Sequence, residues 1–442
     1  MTRRLPLVAL ALLALAAPAG ARAAAWTRPA GFDTGLNPRS GGEPVPRAGV
    51  AADGTSAVAW MTQPRGLVVS TGDARGRFTT PEVIVGSRAA DWSVAAAPGG
   101  AALVAWEDRA GAIRAAVRSR AGRPFVVRRV AAATGSPING LQVAADPRGG
   151  WVVAERQYPR RGSALPYSVR ALSLDADGRA LGAPQDLGLG YFGIDARPTA
   201  ALAVDGAGRA VLAFRRESGS PNETARAVVV STRRHGGRFT TPVEIPAGGL
   251  LADPRVAVGA GGRAIVAVAR SERCGDAGCF GAPALSALAP DGTLGALTGP
   301  TLAHPGRAFA PTGAYAGTRA VVVFELKDAP AAFSPEAPVR AVAFGAAGEP
   351  GALQTLSRAP ATEPVALGLA GGRALAVWAG HRGWGAALAG PDGSFRTTPA
   401  PVGPPPEPFH FNSTNRDIRA AGHWAIVAWS RAGRVRISVG RF

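Results

Sequence analysis

Short apolar runs recur along the chain, and each is bounded by glycine, aspartate or charged residues. The runs are too short for buried helices, and their Ala, Val, Leu and Ile residues are typical of strands buried on both faces. The eight copies are Ser56–Trp60, Ala102–Trp106, Trp151–Glu155, Ala210–Phe214, Ala264–Val268, Ala320–Phe324, Ala374–Trp378 and Ala425–Trp429. Their last residues are 46 to 59 positions apart. This spacing indicates a repeat protein.

The second copy shows how each unit expands into four strands. Strands are predicted over Ser93–Ala97, Ala101–Trp106, Ile113–Ser119 and Phe125–Val130. Asp-Gly pairs separate such strands, and they supply the positive φ that tight hairpins need. Examples are Asp53-Gly54, Asp205-Gly206, Asp177-Gly178 and Asp291-Gly292. Four antiparallel strands per unit predict an all-β fold, a single β-propeller of about eight four-stranded blades. Seven blades, or a pair of smaller β-domains, remain the alternatives.

The two ends of the chain predict closure of the ring. Fourth strands open with a motif such as Phe78-Thr79-Thr80-Pro81, and the similar Trp26-Thr27-Arg28-Pro29 stands near the start of the chain. The last unit, residues 418–442, supplies only three strands of its own. We expect the N-terminal strand 26–32 to complete this last blade and remove an exposed edge, which gives one domain over residues 26–442.

The first 25 residues have the features of a signal peptide. Arg3 and Arg4 precede the apolar stretch Leu5–Ala17, and small residues follow at Ala21 and Ala23, which is the pattern of a secretory signal with its cleavage site. A retained membrane anchor would need about 20 apolar residues. We therefore expect a secreted, extracellular protein with no transmembrane segment after signal cleavage.

Composition and charge narrow the class of partner. The chain has 59 glycines and 38 prolines among 442 residues, which suits many short strands joined by tight turns. Its net charge is +19, and without Arg3, Arg4 and Arg22 it is +16. Almost all the basic residues are arginine, as in bacteria with GC-rich genomes. A basic surface favours an anionic glycan, a wall polymer or an acidic protein as partner. Nucleic acid is not expected as a partner, since no aromatic-basic ladder is present. We expect the protein to be a monomer.

The two cysteines predict one disulfide. Cys274 and Cys279 enclose four residues, and an exported chain favours their oxidation. A metal site is the alternative, but further ligands are missing nearby. The five histidines, His235, His304, His381, His410 and His423, are scattered along the chain. We expect no metal and no cofactor, although a metal or redox propeller remains a third functional class.

One face of the predicted propeller is the expected place for a ligand. The connections from second to third strands, and from each unit to the next, are longer and more charged than the other turns, and such loops on a rigid scaffold commonly bind ligands. The alternative is that these charges only solvate loop tips. The candidate ligand-binding residues are Glu107, Asp108, Arg109, Glu155, Arg156, Tyr158, Arg215, Glu217, Arg270, Glu272, Glu325, Asp328, His381 and Arg382.

The repeat resembles the secreted β-propeller repeat proteins of high-GC bacteria and, more loosely, the sialidase and Asp-box propellers. The Asp-box pattern is approached by Ser173-Leu-Asp175-Ala-Asp177-Gly178, without a full match. The sialidase resemblance implies three arginines that clamp a carboxylate, a tyrosine activated by a glutamate and an acidic proton donor. Tyr158, beside Glu155 and Arg156, would be the tyrosine.

Together these observations favour a secreted, non-enzymatic propeller that binds or scaffolds an extracellular ligand on its long-loop face. A sialidase-like exo-glycoside hydrolase is the alternative. Between the last two units, the proline-rich stretch Pro401–Pro408 predicts a stiff connector, and a docking peptide is its alternative.

Overall fold

The computed structural model describes residues 25–35, 45–63, 65–86, 89, 91–132, 138–157, 167–190, 200–218, 225–246, 250–275, 278–302, 307–327, 337–346, 348–380, 383–405 and 416–442. Over these residues the fold is all-β, apart from turns and two short 3-10 segments. Four-stranded antiparallel sheets predominate, which is consistent with a propeller.

Each sequence repeat contributes one group of strands, called a unit. The leading strands are β1 (Ala25–Trp26) and β2 (Ala30–Asp33). Unit 1 has β3 (Arg47–Val50), β4 (Ser56–Thr62), β5 (Gly66–Gly72) and β6 (Glu82–Val85), and unit 2 has β7 (Trp92–Ala97), β8 (Ala101–Glu107), β9 (Ile113–Arg118) and β10 (Val126–Ala131). Unit 3 has β11 (Ile138–Ala145), β12 (Trp151–Gln157), β13 (Tyr167–Leu174) and β14 (Gln185–Gly190), and unit 4 has β15 (Ala200–Val204), β16 (Ala210–Ser218), β17 (Ala225–Arg233) and β18 (Val243–Glu244).

Units 5 to 8 follow in the same way. Unit 5 has β19 (Leu250–Val258), β20 (Ala264–Gly275) and β21 (Gly278–Leu288). Unit 6 has β22 (Arg307–Ala316), β23 (Arg319–Lys327), β24 (Ala337–Phe344) and the first part of β25 (Pro350–Leu369). Unit 7 has the rest of β25, β26 (Arg373–Gly380), β27 (Gly383–Ala389) and β28 (Phe395–Thr397), and unit 8 has β29 (Arg416–Ala421), β30 (Trp424–Arg431) and β31 (Arg434–Arg441).

Strands pair antiparallel in chain order within each unit. The ends of the four strands predicted for unit 2 differ from the observed ends by one residue at most. Units 5 to 7 merge into one ten-stranded sheet, which the sequence did not predict. The merging occurs because the 20-residue β25 belongs to two units, and because the pair Gly281–Ala308 joins β21 to β22.

The apolar core lies between adjacent units. Side chains alternate along the second strand of each unit, so that Leu103 of β8 packs with Val153 of unit 3, while Val104 packs with Ala59 of unit 1. Each sheet thus buries apolar residues on both faces. Full burial of one such side chain contributes about 1.5–3 kcal/mol, which makes this packing the main source of stability.

A hydrogen bond at one repeated position joins neighbouring first strands. Ser93, Gln142 and Thr312 occupy equivalent positions on β7, β11 and β22, and each side-chain oxygen accepts the backbone N–H of the next first strand, at Val143, Leu202 and Ala366 respectively. The same position on β29 is Asp417, whose Oδ2 accepts the N–H of Ala48 on β3 at 2.9 Å.

This repeated bond relates distant parts of the sequence. The first strands of consecutive units lie side by side from β3 to β29, and β29 lies beside β3. The bond from Asp417 therefore connects the last unit to the first.

The segment around Thr27 bonds to β31 as fourth strands bond elsewhere. In unit 1, Ser70 donates to the carbonyl of Thr79, and the backbone N–H of Thr71 donates to the hydroxyl of Thr79. Ser438 and Val439 make the same two bonds to Thr27, at 2.8 and 3.0 Å. β2 continues this pairing, from Ala30 opposite Ile437 to Asp33 opposite Arg434.

The described part of the proline-rich stretch packs on the last unit. Its backbone carbonyls accept hydrogen bonds from the indole N–H of Trp429, to Pro404, and from the guanidinium of Arg431, to Pro405. Residues 406–408 lie outside the described residues. The carbonyls of Pro404 and Pro405 are thus used within the chain.

Substitution of Asp417 tests the bond between the last and first units. Asp417→Ala leaves the buried N–H of Ala48 without an acceptor, and we expect a loss of about 1–3 kcal/mol in the free energy of unfolding. Asp417→Asn keeps an acceptor oxygen and is expected to recover most of that loss. Midpoints of urea unfolding measure both, and an Ala variant as stable as the unmodified protein would contradict the assigned role.

Candidate functional site

The sheets have two ends that differ in their connections. Turns from first to second and from third to fourth strands lie at one end, called the short-turn end. Connections from second to third strands, and from each unit to the next, lie at the long-loop end. This assignment follows from the antiparallel order of the strands.

Most of the candidate residues expected in loops lie in strands, which corrects the sequence-based expectation. The second strands continue past their apolar runs because backbone pairing to the third strand does not require apolar side chains, as at the pair Glu107–Ile113. The candidates within second strands are Glu107, Glu155, Arg156, Arg215, Glu217, Arg270, Glu272 and Glu325.

Glu155 is a buried carboxylate at a position that is apolar in every other unit. Its side chain has 0% exposure and forms an ion pair with Arg170, which is 14% exposed and directly opposite on β13. Burial raises the pKa of Glu155 above its ordinary value, and the charge of Arg170 offsets only part of this effect. The equivalent residues are Trp60, Trp106, Phe214, Val268, Phe324, Trp378 and Trp429.

A second carboxylate faces the same junction. Leu103 and Ala105 of β8 pack towards unit 3, and the alternation of side chains turns Glu107 to that side as well. Glu155 and Arg170 face unit 2 by the same rule. Two acids and one arginine thus lie at the long-loop end of the junction between units 2 and 3, where their charges conflict with the apolar packing of the fold. Conflicts of this kind concentrate at functional sites.

Arg156, Arg215 and Glu325 are also buried at the ends of their strands. The guanidinium of Arg156 lies over Gly140, where a Cβ would come within 2.8 Å of its Nε, and Gly140 has a φ of +68°. Only glycine combines this backbone conformation with so close a contact. These three side chains interact inside the sheets and do not present their charge to solvent.

Asp108 and Arg109 lie in the turn after β8. Asp108 accepts hydrogen bonds from the N–H groups of Ala110 and Ala112 and from the guanidinium of Arg114. Although burial acts to raise it, the bond from Arg114 and the two backbone bonds hold the pKa of Asp108 below its ordinary value. Asp108 therefore shapes the turn, while Arg109 is exposed to solvent.

Several candidates cannot be placed. Tyr158, Asp328, His381 and Arg382 lie outside the described residues, and for Glu217, Glu272, Cys274 and Cys279 only the backbone is described. The register of β20 and β21 puts Cys274 directly opposite Cys279.

Sequence reasoning missed five residues that shape the long-loop end. The role of Arg170 follows from its position opposite Glu155 in the sheet. The role of Asp417 follows from the first-strand position that it shares with Ser93. The remaining three are exposed arginines next to second or third strands, Arg65, Arg419 and Arg434. An alignment of the eight units would have revealed the position of Asp417, but arginine is too abundant in this chain for its exposed positions to stand out.

Part of the charge at the short-turn end is paired within the chain. Arg77 pairs with Asp73 at 2.7 Å and Arg179 with Asp177 at 3.0 Å. Deeper in the same end, the buried Arg233 pairs with Asp146 at 2.9 Å. Other arginines of this end, such as Arg75 and Arg120, are exposed.

Neither a metal-binding cluster nor a membrane-spanning helix occurs among the described residues. Among the residues with described positions, no group of three or more His, Cys, Asp and Glu side chains could hold a metal ion. The same residues contain no helix that is long and apolar enough to span a membrane.

Comparisons with known proteins give only distant likenesses. No family model matches the chain, and no curated protein matches it. Similar solved structures include a lectin from Burkholderia pseudomallei (16% identity, 81% of this chain and 99% of the lectin covered, TM-score 0.47) and an α-L-arabinanase from Penicillium chrysogenum (13%, 66% and 90%, 0.40). A puromycin hydrolase is a third (18%, 88% and 58%, 0.45). At these identities and TM-scores the likenesses assign no activity to the chain.

The pH dependence of stability tests the ion pair of Glu155. An acid whose pKa is higher in the folded than in the unfolded state loses stabilising effect as pH rises above its unfolded value, which is 4.5 for this group. Arg170→Met removes the partner, and we expect it to cost about 3 kcal/mol or more near pH 7. The cost should be smaller near pH 4, where Glu155 is largely protonated.

A double variant provides the matched control. Glu155→Phe with Arg170→Met places at this position the residue found in units 4 and 6, and it removes both charges together. It should recover most of the lost stability and abolish the pH dependence of the difference. Chemical unfolding at both pH values measures all three proteins, and a loss that is equal at the two values would refute the assignment.

The register also supports the predicted disulfide. Directly opposed residues of antiparallel strands have Cα atoms about 4.5–5.5 Å apart, within the range of about 4.4–6.8 Å that a disulfide allows. If the disulfide forms, Cys274 and Cys279 should resist alkylation until the protein is reduced. Mass spectrometry after iodoacetamide treatment checks this, and two modified cysteines in unreduced protein would show the prediction to be wrong.

Proposed function

We propose that the chain is an exported, non-enzymatic binding protein whose long-loop end takes an acidic extracellular ligand. The proposal has three parts: export through the N-terminal signal, a ring of eight blades closed by the N-terminal strand, and recognition by exposed arginines. Each part rests on its own observations.

Ring closure is supported by three features. β29 lies beside β3, Asp417 accepts the N–H of Ala48, and Thr27 bonds to β31 as Thr79 bonds to β5. In a closed ring every unit has a neighbour on both faces, so that no apolar sheet face remains exposed.

The distribution of charge at the long-loop end is the observation that supports binding. Its described acids are mostly buried or bonded within the chain, as for Glu107, Glu155 and Asp108. Exposed arginines, such as Arg65 and Arg109, remain at the surface. The end is therefore basic where solvent reaches it, and a guanidinium suits a carboxylate or sulfate ligand.

Binding is favoured over hydrolysis by the burial of the acids. A sialidase-like hydrolase needs an acid and an activated tyrosine that contact the substrate. Glu155 has a side-chain exposure of 0% and is paired with Arg170, so that it faces the neighbouring unit and not solvent. Release of a fluorescent group from a sialoside would nevertheless support the hydrolase.

The experiment compares two charge-matched double variants. Arg65→Ala with Arg109→Ala removes two exposed arginines from the long-loop end of units 1 and 2. Arg75→Ala with Arg120→Ala removes two exposed arginines from the short-turn end of the same units. Calorimetric titration with a soluble carboxylated or sulfated polysaccharide measures the affinity of each.

Both variants lower the net charge equally, so that a difference between them reports position and not overall charge. We expect the first variant to bind roughly tenfold more weakly, at about 0.7 kcal/mol for each of its two exposed contacts. The second should bind like the unmodified protein. Equal weakening of the two, or no binding by any of the proteins, would contradict the proposal.

A further inference from the structure

Three exposed arginines at the long-loop end lie on adjacent units. Arg109 stands in the turn between β8 and β9 of unit 2, and Arg65 in the turn between β4 and β5 of unit 1. Arg434 begins β31 of unit 8, next to the equivalent turn. All three are exposed. Each of three consecutive units thus carries an exposed cation in or beside the turn between its second and third strands.

The contiguity of these units is direct. β29 of unit 8 lies beside β3, and β3 lies beside β7 of unit 2. β3 and β7 approach so closely that a Cβ on Gly49 would come within 2.7 Å of the backbone of Ala96. Arg109, Arg65 and Arg434 therefore follow one another across a continuous surface, called the arginine track.

Two further arginines lie on the inner side of the track. Arg47 begins β3 at the long-loop end and is half-buried. Arg419 lies in the middle of β29 with its side chain 54% exposed, and its Nε donates to Asp417 at 3.0 Å. Because Asp417 also accepts the N–H of Ala48, its charge is shared between two donors.

The described acids of these units leave the track basic. Asp108 is bonded to Arg114 and two backbone N–H groups, and Asp91 accepts the N–H groups of Trp92 and Leu141. Asp33 is exposed and stands opposite Arg434, which makes Arg434 the weakest of the three sites. Arg65 and Arg109 carry the least compensated charge.

The spacing of the track favours a long ligand over a small one. Packed sheets lie about 10 Å apart, so that equivalent turns on adjacent units are separated by about 10 Å or more. One small anion cannot contact two such turns together. A linear polymer with an acidic group on its repeating sugar units can contact all three in succession, and each additional contact is then intramolecular.

The surroundings of the track distinguish between kinds of polyanion. Single-stranded nucleic acid is held by aromatic side chains that stack on bases, and a membrane surface by apolar side chains that insert. The large apolar side chains that the described residues expose are all aliphatic, and they lie away from these three turns, at Val83, Val126, Val127, Leu181, Val243, Leu353 and Val402. The track offers charge and hydrogen bonds without a stacking platform.

From these observations we infer that a linear acidic polysaccharide binds along the arginine track, across units 8, 1 and 2. The inference rests on the proposed function and specifies both its ligand class and its position. Arg65 is the central contact, Arg109 and Arg434 are the flanking contacts, and Arg47 and Arg419 supply positive potential from the inner side.

A length series of oligogalacturonates tests the inference. If three turns are contacted in succession, affinity should rise with length until the oligomer spans the track and then level off. Arg65→Ala should lower the affinity of a long oligomer roughly threefold to fivefold and leave a dimer, which reaches one turn, much less affected. The slope of log Kd against log salt should fall by about one for each arginine removed.

Arg216→Ala provides the matched control on the same end of the molecule. Arg216 stands near the long-loop end of β16 in unit 4, outside the track, with its side chain 42% exposed and paired with Glu244, and its substitution should leave oligomer affinity unchanged. Thermal unfolding of both variants verifies that the fold is intact. Equal loss in the two variants would overturn the track while leaving the proposed function standing.

Two other outcomes separate the remaining possibilities. Absence of binding to every acidic oligomer would remove the proposed function and the track together. Tighter binding of single-stranded DNA than of an oligogalacturonate with the same number of charges would overturn the polysaccharide class, and tighter binding to anionic lipid vesicles would do the same.

Discussion

The structure depends on the packing of each sheet against two neighbours. In units 1 to 8 the second strand is apolar on both faces, so that a unit cannot bury its residues alone or at the end of a row. This requirement explains why the same apolar run recurs eight times and why small residues such as Ala105 and Ala154 are frequent within it. It also explains why the polar bonds between first strands, of which that of Ser93 is an example, repeat at one position. Close packing brings the strands near enough for one side chain to reach the next backbone.

Charge is tolerated in this packing only at the ends of the sheets. At the short-turn end, arginine and aspartate pair within or between turns and stabilise them. At the long-loop end the acids are drawn into the sheets, and the exposed cations remain. The junction of units 2 and 3 is the extreme case, because Glu155 replaces an apolar residue and depends on Arg170 for its charge to be tolerated. The basic surface of the long-loop end thus depends on where its described acids are buried, and not only on the number of arginines.

Much of the fold could be predicted from the sequence, because strand period and turn chemistry are local signals. The four strands of unit 2 were predicted to within one residue at each end. The extent of β25 could not be predicted, since nothing in its sequence marks the passage from one unit to the next. The candidate site was harder to predict from the sequence than the fold. The register between strands determines which face of the sheet a charged residue lies on and whether it is buried. For Glu107 and Arg170 the register places both side chains at the junction of units 2 and 3.

The pairing of β1 and β2 with β31 also bears on biosynthesis. β1 and β2 are synthesised before the eight units, whereas their partner β31 is the third strand of unit 8. The leading segment must therefore stay available while some four hundred residues are translated, and the last sheet is completed only after β31 has been synthesised. A chain truncated near its C-terminus would leave its own beginning without a partner.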